Sequence, residues 1–335
     1  MEPLRIGILG AARIAPGAVV KPARRVPEAQ VVAVDARDRN RAEQFAQKQG
    51  IGTVHDSYEA LLADPEIDAV YNPLPNGLHG RWTLAALDAG KPVLCEKPFT
   101  ANAEEAERVA AAAQTSGIVV MEAFHYRYHP LITRVVEILR SGELGALRRV
   151  DTRMCIPLPM RKDIRYQLDL AGGAVMDVGC YAIHQARTLA DQEPEVVSAR
   201  AKCGSPGVDR WLRADLQFSD DLAGSFECAL WSRRPLSLHA RVEGELGSLH
   251  VMNLTSPQYY HRLVVRATDP ATGAERRRRE RVKGEATYVY QLRAFVAAVR
   301  EGAPYPTTPA DAIANMRVID AAYRAAGLEP RQPTP

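Results

Sequence analysis

GKPVLCEKPFT, residues 90–100, carries an apolar run straight into Glu96, Lys97 and Pro98. Residues 92–96 read as a buried strand, which puts Lys97 at its carboxyl end. A lysine at a strand tip is ordinary when it only reaches water. It carries information when the strand belongs to an open parallel sheet, because such sheets hold ligands just beyond their carboxyl ends. The surrounding elements decide between the two.

From residue 4 to about 124, short β-branched runs alternate with helical patterns. Strands are expected at 4–9, 31–34, 69–74, 92–96 and 118–124. Helices are expected at 39–50, at 57–67 with Asp56 as its cap, at 79–90 and at 101–117. Strand and helix in strict rotation imply a parallel sheet with right-handed crossovers. After about residue 125 the pattern changes. Helices at 130–141 and 173–190 are followed by strand-like segments at 196–203, 211–218, 224–231, 238–243, 248–252 and 262–267. The turn clusters GSPG, SDD, GELG and DPATG separate these segments, as in an antiparallel meander. Helices at 288–302 and 309–327 close the chain. The expectation is an α/β protein with a dinucleotide-binding domain over 1–124 and an α+β domain over 125–335. The second domain has a large open, mainly antiparallel sheet.

Bulk properties narrow the function. A length of 335 residues suggests two domains, and 46% hydrophobic residues suffice for full cores. The net charge of +3 lacks the concentrated basic footprint of a nucleic-acid surface. The strongest basic run, ERRRRER at 275–281, follows a turn and reads as an exposed, solvated hairpin arm. Five cysteines without metal-ligand spacing fit a reducing cytoplasm. Neither a signal sequence nor a membrane-spanning run of about 18 apolar residues is present in the sequence. A soluble cytoplasmic protein is expected, with no nucleic-acid or membrane partner and no metal.

The first strand runs into GAARIAP, residues 10–16. Such a turn lets the backbone N–H groups of Gly10, Ala11, Ala12, Arg13 and Ile14 face a pyrophosphate at a helix start. Against the G-x-G-x-x-G fingerprint only Gly10 survives, with Ala12 and Ala15 at the other positions. Taken alone, the turn divides evenly between a dinucleotide site and a plain strand–helix corner. The second strand ends in VDARD, offering Asp35, Ala36, Arg37 and Asp38. An acid at this place takes the ribose hydroxyls of NAD, whereas a small residue beside an arginine admits the 2′-phosphate of NADP. Asp35 sits one residue early, and adjacent strand residues point to opposite faces. A bulged strand end would bring Asp35 to the ribose and favour NAD.

Three segments together resemble the Gfo/Idh/MocA oxidoreductase family: GILGAARIA at the start, CEKP at 95–98 and GGAVMDVGCYAIH at 172–184. The resemblance covers essentially the whole chain and implies a Rossmann-type first domain. It is closest to the branch containing dimeric dihydrodiol dehydrogenase, NADP-dependent D-xylose dehydrogenase and glucose–fructose oxidoreductase. Tyr181 marks the branch, standing where inositol dehydrogenases carry histidine. The resemblance puts Ala36 in the acid slot with Arg37 beside it, which favours NADP over NAD. It also implies a cis Lys97–Pro98 bond, aiming Lys97 into the cleft, where an ordinary X–Pro bond would be trans.

The implied chemistry is hydride transfer between a nicotinamide and a hydroxyl of a sugar (an aldose) or cyclic diol. The hydroxyl proton must leave as the C–H bond breaks, so a group of tuned pKa is needed within hydrogen-bond reach. A phenol titrates near 10, and an adjacent ammonium lowers that value. Tyr181 is therefore the expected acid/base and Lys97 its electrostatic partner. Which of the two makes the final proton transfer stays open. Asp177, four residues before Tyr181, shares its helix face and would orient substrate or Lys97. Pro73, Leu74, Asn76 and His79 resemble the loop that walls the cofactor, with Glu96 beside Lys97. His125, Tyr126, Arg165 and His184 are candidates for lining the substrate cleft; packing at the domain junction or a satisfied core histidine is the competing reading. Family members mostly pair through the outer sheet face, so a homodimer is expected. The alternatives are an enzyme that recycles a tightly held cofactor, such as an aldose–aldose oxidoreductase or NAD-using glycosidase, and a non-catalytic dinucleotide-binding regulator. Regulators tend to lose the strand-end lysine, which is retained here.

Overall fold

The computed structural model describes residues 2–159, 163–233 and 236–335. The chain divides into two compact units. One holds the residues up to His125 with Tyr288–Ile313 and Gln332–Pro335; the other holds Tyr126–Thr287 and Ala314–Arg331.

In the first unit, six strands form a parallel sheet: β1 (Leu4–Leu9), β2 (Ala29–Asp35), β3 (Thr53–Val54), β4 (Ala69–Asn72), β5 (Val93–Cys95) and β6 (Val120–Glu122). Their order is β3-β2-β1-β4-β5-β6, and every neighbouring pair is parallel. β3 was not expected, because two residues carry no alternation to read. The order reverses between β1 and β4. That makes the crevice at their carboxyl ends the place where such sheets take a ligand.

The intervening helices are α1 (Lys21–Ala23), entered through a π-helical turn at Pro16–Val20, then α2 (Arg39–Gln49), α3 (Tyr58–Ala63), α4 (His79–Asp88) and α5 (Ala103–Ser116). Caps set where three of them begin. Asp38, Ser57 and Asn102 accept hydrogen bonds from the backbone N–H groups of Arg41, Ala60 and Glu105. For α3 this corrects the expected cap from Asp56 to Ser57. A cap must reach an N–H three residues on; Asp56 stands one position early, and its carboxylate pairs with Arg39 instead.

The second unit contains α6 (Pro130–Arg140), β7 (Leu147–Cys155), α7 (Cys180–Ala190) and the strands β8 (Glu195–Ser205), β9 (Val208–Ser219), β10 (Leu222–Ala229), β11 (Ser237–Gly244), β12 (Gly247–Met252), β13 (Arg262–Thr268) and β14 (Glu275–Glu280). They form an eight-stranded sheet in the order β14-β13-β12-β11-β7-β10-β9-β8. The β7–β10 pair is parallel and the other ladders are antiparallel. One feature departs from the expected meander: β7 lies at the centre of the sheet, parallel to β10. ERRRRE pairs with β13 as the exposed outer arm of an edge hairpin, as expected.

One sheet face, with Val150, Leu212, Leu216, Phe226 and Val242 buried on it, packs under α7. Nearly every residue of α7 is buried, including Tyr181, His184, Gln185 and Arg187. The opposite face carries paired charges. Arg149 contacts Asp151 at 2.7 Å, Arg153 contacts Glu227 at 2.8 Å and Arg241 contacts Glu243 at 2.8 Å. The last helices are α8 (Thr287–Glu301) and α9 (Pro309–Ala325). Among the described residues no helix is long and apolar enough to cross a membrane.

Candidate active site

The turn after β1 sits at the switch point. Gly10 N–H donates to the Asp35 carbonyl at 2.8 Å, and Ala12 N–H donates to the Gly10 carbonyl at 2.9 Å. Gly10 has φ +93°, which L side chains rarely adopt, and a Cβ there would come within 2.9 Å of Leu74 Cδ2. Leu74 thus lies directly on the turn. Ala11 is buried, Ala12 half-buried, and Arg13 and Ile14 are exposed. The turn leaves backbone N–H groups available beside a cradle that a side chain at position 10 would fill, which fits a pyrophosphate.

At the end of β2, Asp35 is buried, and burial pushes its carboxyl above the ordinary carboxylate range. The register shift in the β1–β2 ladder falls at Ile6–Gly7, away from Asp35. Ala36 is half-buried and Arg37 exposed. The Asp38 carboxylate accepts from Arg41 N–H at 3.1 Å, so its visible work is capping α2. Arg41 reaches back to the turn, where its Nη2 donates to the Ala11 carbonyl at 2.9 Å. Sequence reading missed Arg41, because it stands in a helix outside any fingerprint position. It also missed Tyr58, whose ring meets Trp82 edge-on with centroids 4.7 Å apart. Burial and the charge of Asp35 push the Tyr58 phenol up.

Beyond β4, the fully buried Asn72 organises the next loop: its Nδ2 donates to the His79 carbonyl at 3.1 Å and to Thr83 Oγ1 at 3.2 Å. Pro73 is buried and Asn76 half-buried. His79 is also buried, with Nδ1 at 2.7 Å from the Pro98 carbonyl oxygen and Nε2 at 2.7 Å from that of Leu74. Beyond β5, Glu96 is buried and its Oε1 accepts from Tyr71 Oη at 2.7 Å. Lys97 is half-buried, and its bond to Pro98 is cis, as the resemblance implied. Burial lowers the pKa of His79 to about 4, and the Lys97 charge adds to the effect. The same two causes lower His125, stacked on Tyr288 with centroids 4.0 Å apart, to about 3. The Lys97 ammonium therefore stands near two imidazoles that are neutral at physiological pH.

In the second unit, Asp177 lies in a π-helical turn, Val175–Gly179, that leads into α7. This differs from the regular α-helical i, i+4 relation expected between Asp177 and Tyr181, since the wider turn rotates one relative to the other. Arg165 and Asp177 come together with Nε 3.0 Å from Oδ2, and Arg165 also contacts Asp163 at 3.0 Å. The carboxylates raise the Arg165 pKa. Tyr181 is buried, and its ring centroid is 6.2 Å from that of Tyr126. Tyr126 Oη lies 2.6 Å from His184 Nδ1, both side chains being buried. The structure thus forms two groups in this unit, Arg165–Asp177 and Tyr181–Tyr126–His184. Among the described residues no cluster of three or more His, Cys, Asp or Glu is placed to hold a metal ion.

Known proteins place this geometry in context. Residues 4–124 match the family model described as an oxidoreductase family with an NAD-binding Rossmann fold, GFO_IDH_MocA. Residues 132–250 match the GFO/IDH/MocA C-terminal domain. D-xylose 1-dehydrogenase (NADP(+)) 2 of Haloferax volcanii is 37% identical over 331 residues, covering 96% of this chain and 97% of the relative. Trans-1,2-dihydrobenzene-1,2-diol dehydrogenase of Mus musculus is 36% identical, covering 69% and 68%. Among solved structures, a 3-ketoreductase from Actinomadura kijaniata in complex with NADP and TDP-benzene superposes with a TM-score of 0.87. It is 29% identical, with 97% of this chain and 98% of the other covered.

Proposed function

The chain belongs to the Gfo/Idh/MocA oxidoreductase family, and from that premise we propose that it is an NADP-dependent dehydrogenase acting on a hydroxyl of a sugar or cyclic diol. The observation that carries this reading is the phosphate turn at the β1–β4 switch point, with Gly10 held against Leu74. The N–H groups of Ala11, Arg13 and Ile14 would hold the pyrophosphate, with Gly10 and Ala12, whose own N–H groups close the turn, shaping it; Ala36 with Arg37 and Arg41 would hold the 2′-phosphate. Leu74, Asn76 and His79 would wall the nicotinamide, which when bound supplies the hydride acceptor. Tyr181 would take the hydroxyl proton, and Lys97 would stabilise the negative charge that develops on the substrate oxygen. The two imidazoles near Lys97 are neutral at working pH and add no charge of their own beside it. Arg165, oriented by Asp177, would contact substrate hydroxyls, while the buried Tyr126–His184 pair would pack beside Tyr181.

We further propose a cytoplasmic homodimer. The outer sheet face supports it, because charges there are paired within the chain and do not set that face against a copy of itself.

The test is a panel of aldoses, inositols and cyclic diols with NADP and NAD, followed at the absorbance of the reduced nicotinamide. Lys97→Ala and Tyr181→Phe should each lower turnover by about 10²–10⁴-fold, with NADPH affinity kept in both. Either variant at wild-type turnover would remove its residue from the chemistry.

A further inference from the structure

The helix that presents Asp177 and Tyr181 begins without a local cap. GGAV supplies no Ser, Thr, Asp or Asn, and no side chain of its own segment caps the turn Val175–Gly179. The donor at its start is met from across the unit: Val175 N–H donates to Asp209 Oδ2 at 2.8 Å. Asp209 is fully buried at the beginning of β9. Its other oxygen accepts from Arg331 Nη2 at 2.8 Å and from Tyr323 Oη at 2.9 Å. Arg331, four residues from the last residue of the sequence and also buried, donates from Nε to the Gly172 carbonyl at 2.6 Å. Its guanidinium lies 4.1 Å from the centroid of the Tyr323 ring.

The cluster closes on a glycine pair that nothing else could replace. Gly173 has φ +144°, and a Cβ there would stand 2.2 Å from Asp209 Oδ1, 2.6 Å from Tyr323 Oη and 2.9 Å from Arg331 Nη2. The same pair ties down the segment bearing Arg165. Gly172 N–H donates to the Gln167 carbonyl at 2.8 Å, and Gly173 N–H donates to the Arg165 carbonyl at 2.9 Å. On the other side, Asp177 N–H donates to the Gly173 carbonyl at 3.0 Å. A single turn therefore sets both members of the Arg165–Asp177 pair and the entry to α7.

A buried ion pair is an inefficient source of stability, since well-packed apolar groups of the same volume often serve as well or better. What it supplies is direction. Burial pushes the Asp209 carboxyl up, opposed by the Arg331 charge and the Val175 N–H. The carboxylate is thus held only where those donors converge.

We propose that Asp209, Arg331 and Tyr323 are positioning residues of the reaction, locking the Gly172–Gly173 turn so that Tyr181, Asp177 and Arg165 stand in productive places. The proposal rests on the reading above, in which Tyr181 is the acid/base. Arg331 acts from the far end of the sequence on a helix that starts near residue 175, with no contact to substrate required.

The experiment compares Arg331→Met, Tyr323→Phe, Tyr181→Phe and the Arg331→Met/Tyr181→Phe double variant, using the best alcohol of the panel with NADP. Thermal unfolding and NADPH affinity are measured alongside kcat, KM and the pH profile. Arg331→Met should fold and bind NADPH within about three-fold of wild type, while kcat falls about 100-fold, as misplacement by an ångström does. The ionisation of the pH profile assigned to Tyr181 should shift. Added to Tyr181→Phe, Arg331→Met should cost little more, because it acts through the group already removed. Should Arg331→Met not fold, Tyr323→Phe, which deletes one hydrogen bond and no charge, carries the same comparison at smaller amplitude. Wild-type kcat in the folded variants, or a full additive loss on the Tyr181→Phe background, would leave the cluster purely structural. Tyr181→Phe at wild-type turnover would instead remove the functional reading itself, which is a different result.

Discussion

His79 Nδ1 stands 2.7 Å from the carbonyl oxygen of Pro98, and its second ring nitrogen is equally close to the carbonyl of Leu74. The imidazole thereby bridges the segment that follows β5 and the loop that follows β4. A neutral ring has one N–H and donates to only one of these carbonyls. Burial and the Lys97 charge keep it neutral, so the bridge is a packed wedge with one strong bond. Replacing it should loosen both segments. His79→Leu is expected to cost about 1–3 kcal/mol of stability through the buried carbonyl left without a donor. It should also weaken NADPH binding, read by fluorescence titration beside thermal melts. Unchanged melting and affinity would mean that the wedge is dispensable.

Acid should unfold the protein through its buried imidazoles. His79 and His129 are lowered to about 4 and His125 to about 3, each mainly by burial, from an unfolded value near 6.5. For groups with depressed folded values, the unfolded chain binds protons first as pH falls. Their contribution is fully present above about 6.5 and is lost progressively towards 4. Melting temperature should therefore decline steadily from pH 7 to pH 4.5, with protons taken up on unfolding. A flat profile across that window would contradict the burial of these rings.

Cofactor choice should separate from cofactor binding. Arg37→Ala and Arg41→Ala are expected to weaken NADPH by about ten-fold or more, as loss of a charge-assisted contact to phosphate does, while NADH changes little. Arg41 has the smaller expected selectivity, since it also donates to the Ala11 carbonyl and its loss disturbs the turn. Equal losses for both nucleotides would argue against a 2′-phosphate contact.

Gly10→Ala gives the complementary pattern. The substitution forces a side chain into φ +93° and against Leu74, at a cost of about 1–2 kcal/mol. The turn serves the pyrophosphate common to both nucleotides, so NADPH and NADH should lose affinity together. A selective loss would move Gly10 out of the pyrophosphate site.

The parallel sheet was legible because each of its buried strands is a short apolar run followed by a helix with a glycine or capping residue at its boundary. β7 escaped notice for a definite reason. LRRVDTRMC alternates Val150, Thr152 and Met154 with Arg149, Asp151 and Arg153. That is the period of two of a half-buried strand, but the segment stands between helical stretches, apart in sequence from the strands it pairs with. In the site, the motif-borne residues Gly10, Lys97, Asp177 and Tyr181 stood out, whereas Arg41, Asn72, Asp209 and Arg331 did not. Each of these four works through a contact made distant or indirect by folding, and single positions in a helix, a strand end or a tail carry no local signature of such contacts.

The arginines of β14 also bear on how copies of the chain can meet. An eight-stranded open sheet ends in two rims of backbone groups, here β14 and β8, and any bare rim is a template for another chain's strand. Arg276, Arg277 and Arg279 are exposed along one rim. Docking a second β14 there would bring like charges together with their hydration stripped. Growth by edge-to-edge stacking into fibrils is thereby penalised, leaving face-to-face pairing as the cheaper route to assembly.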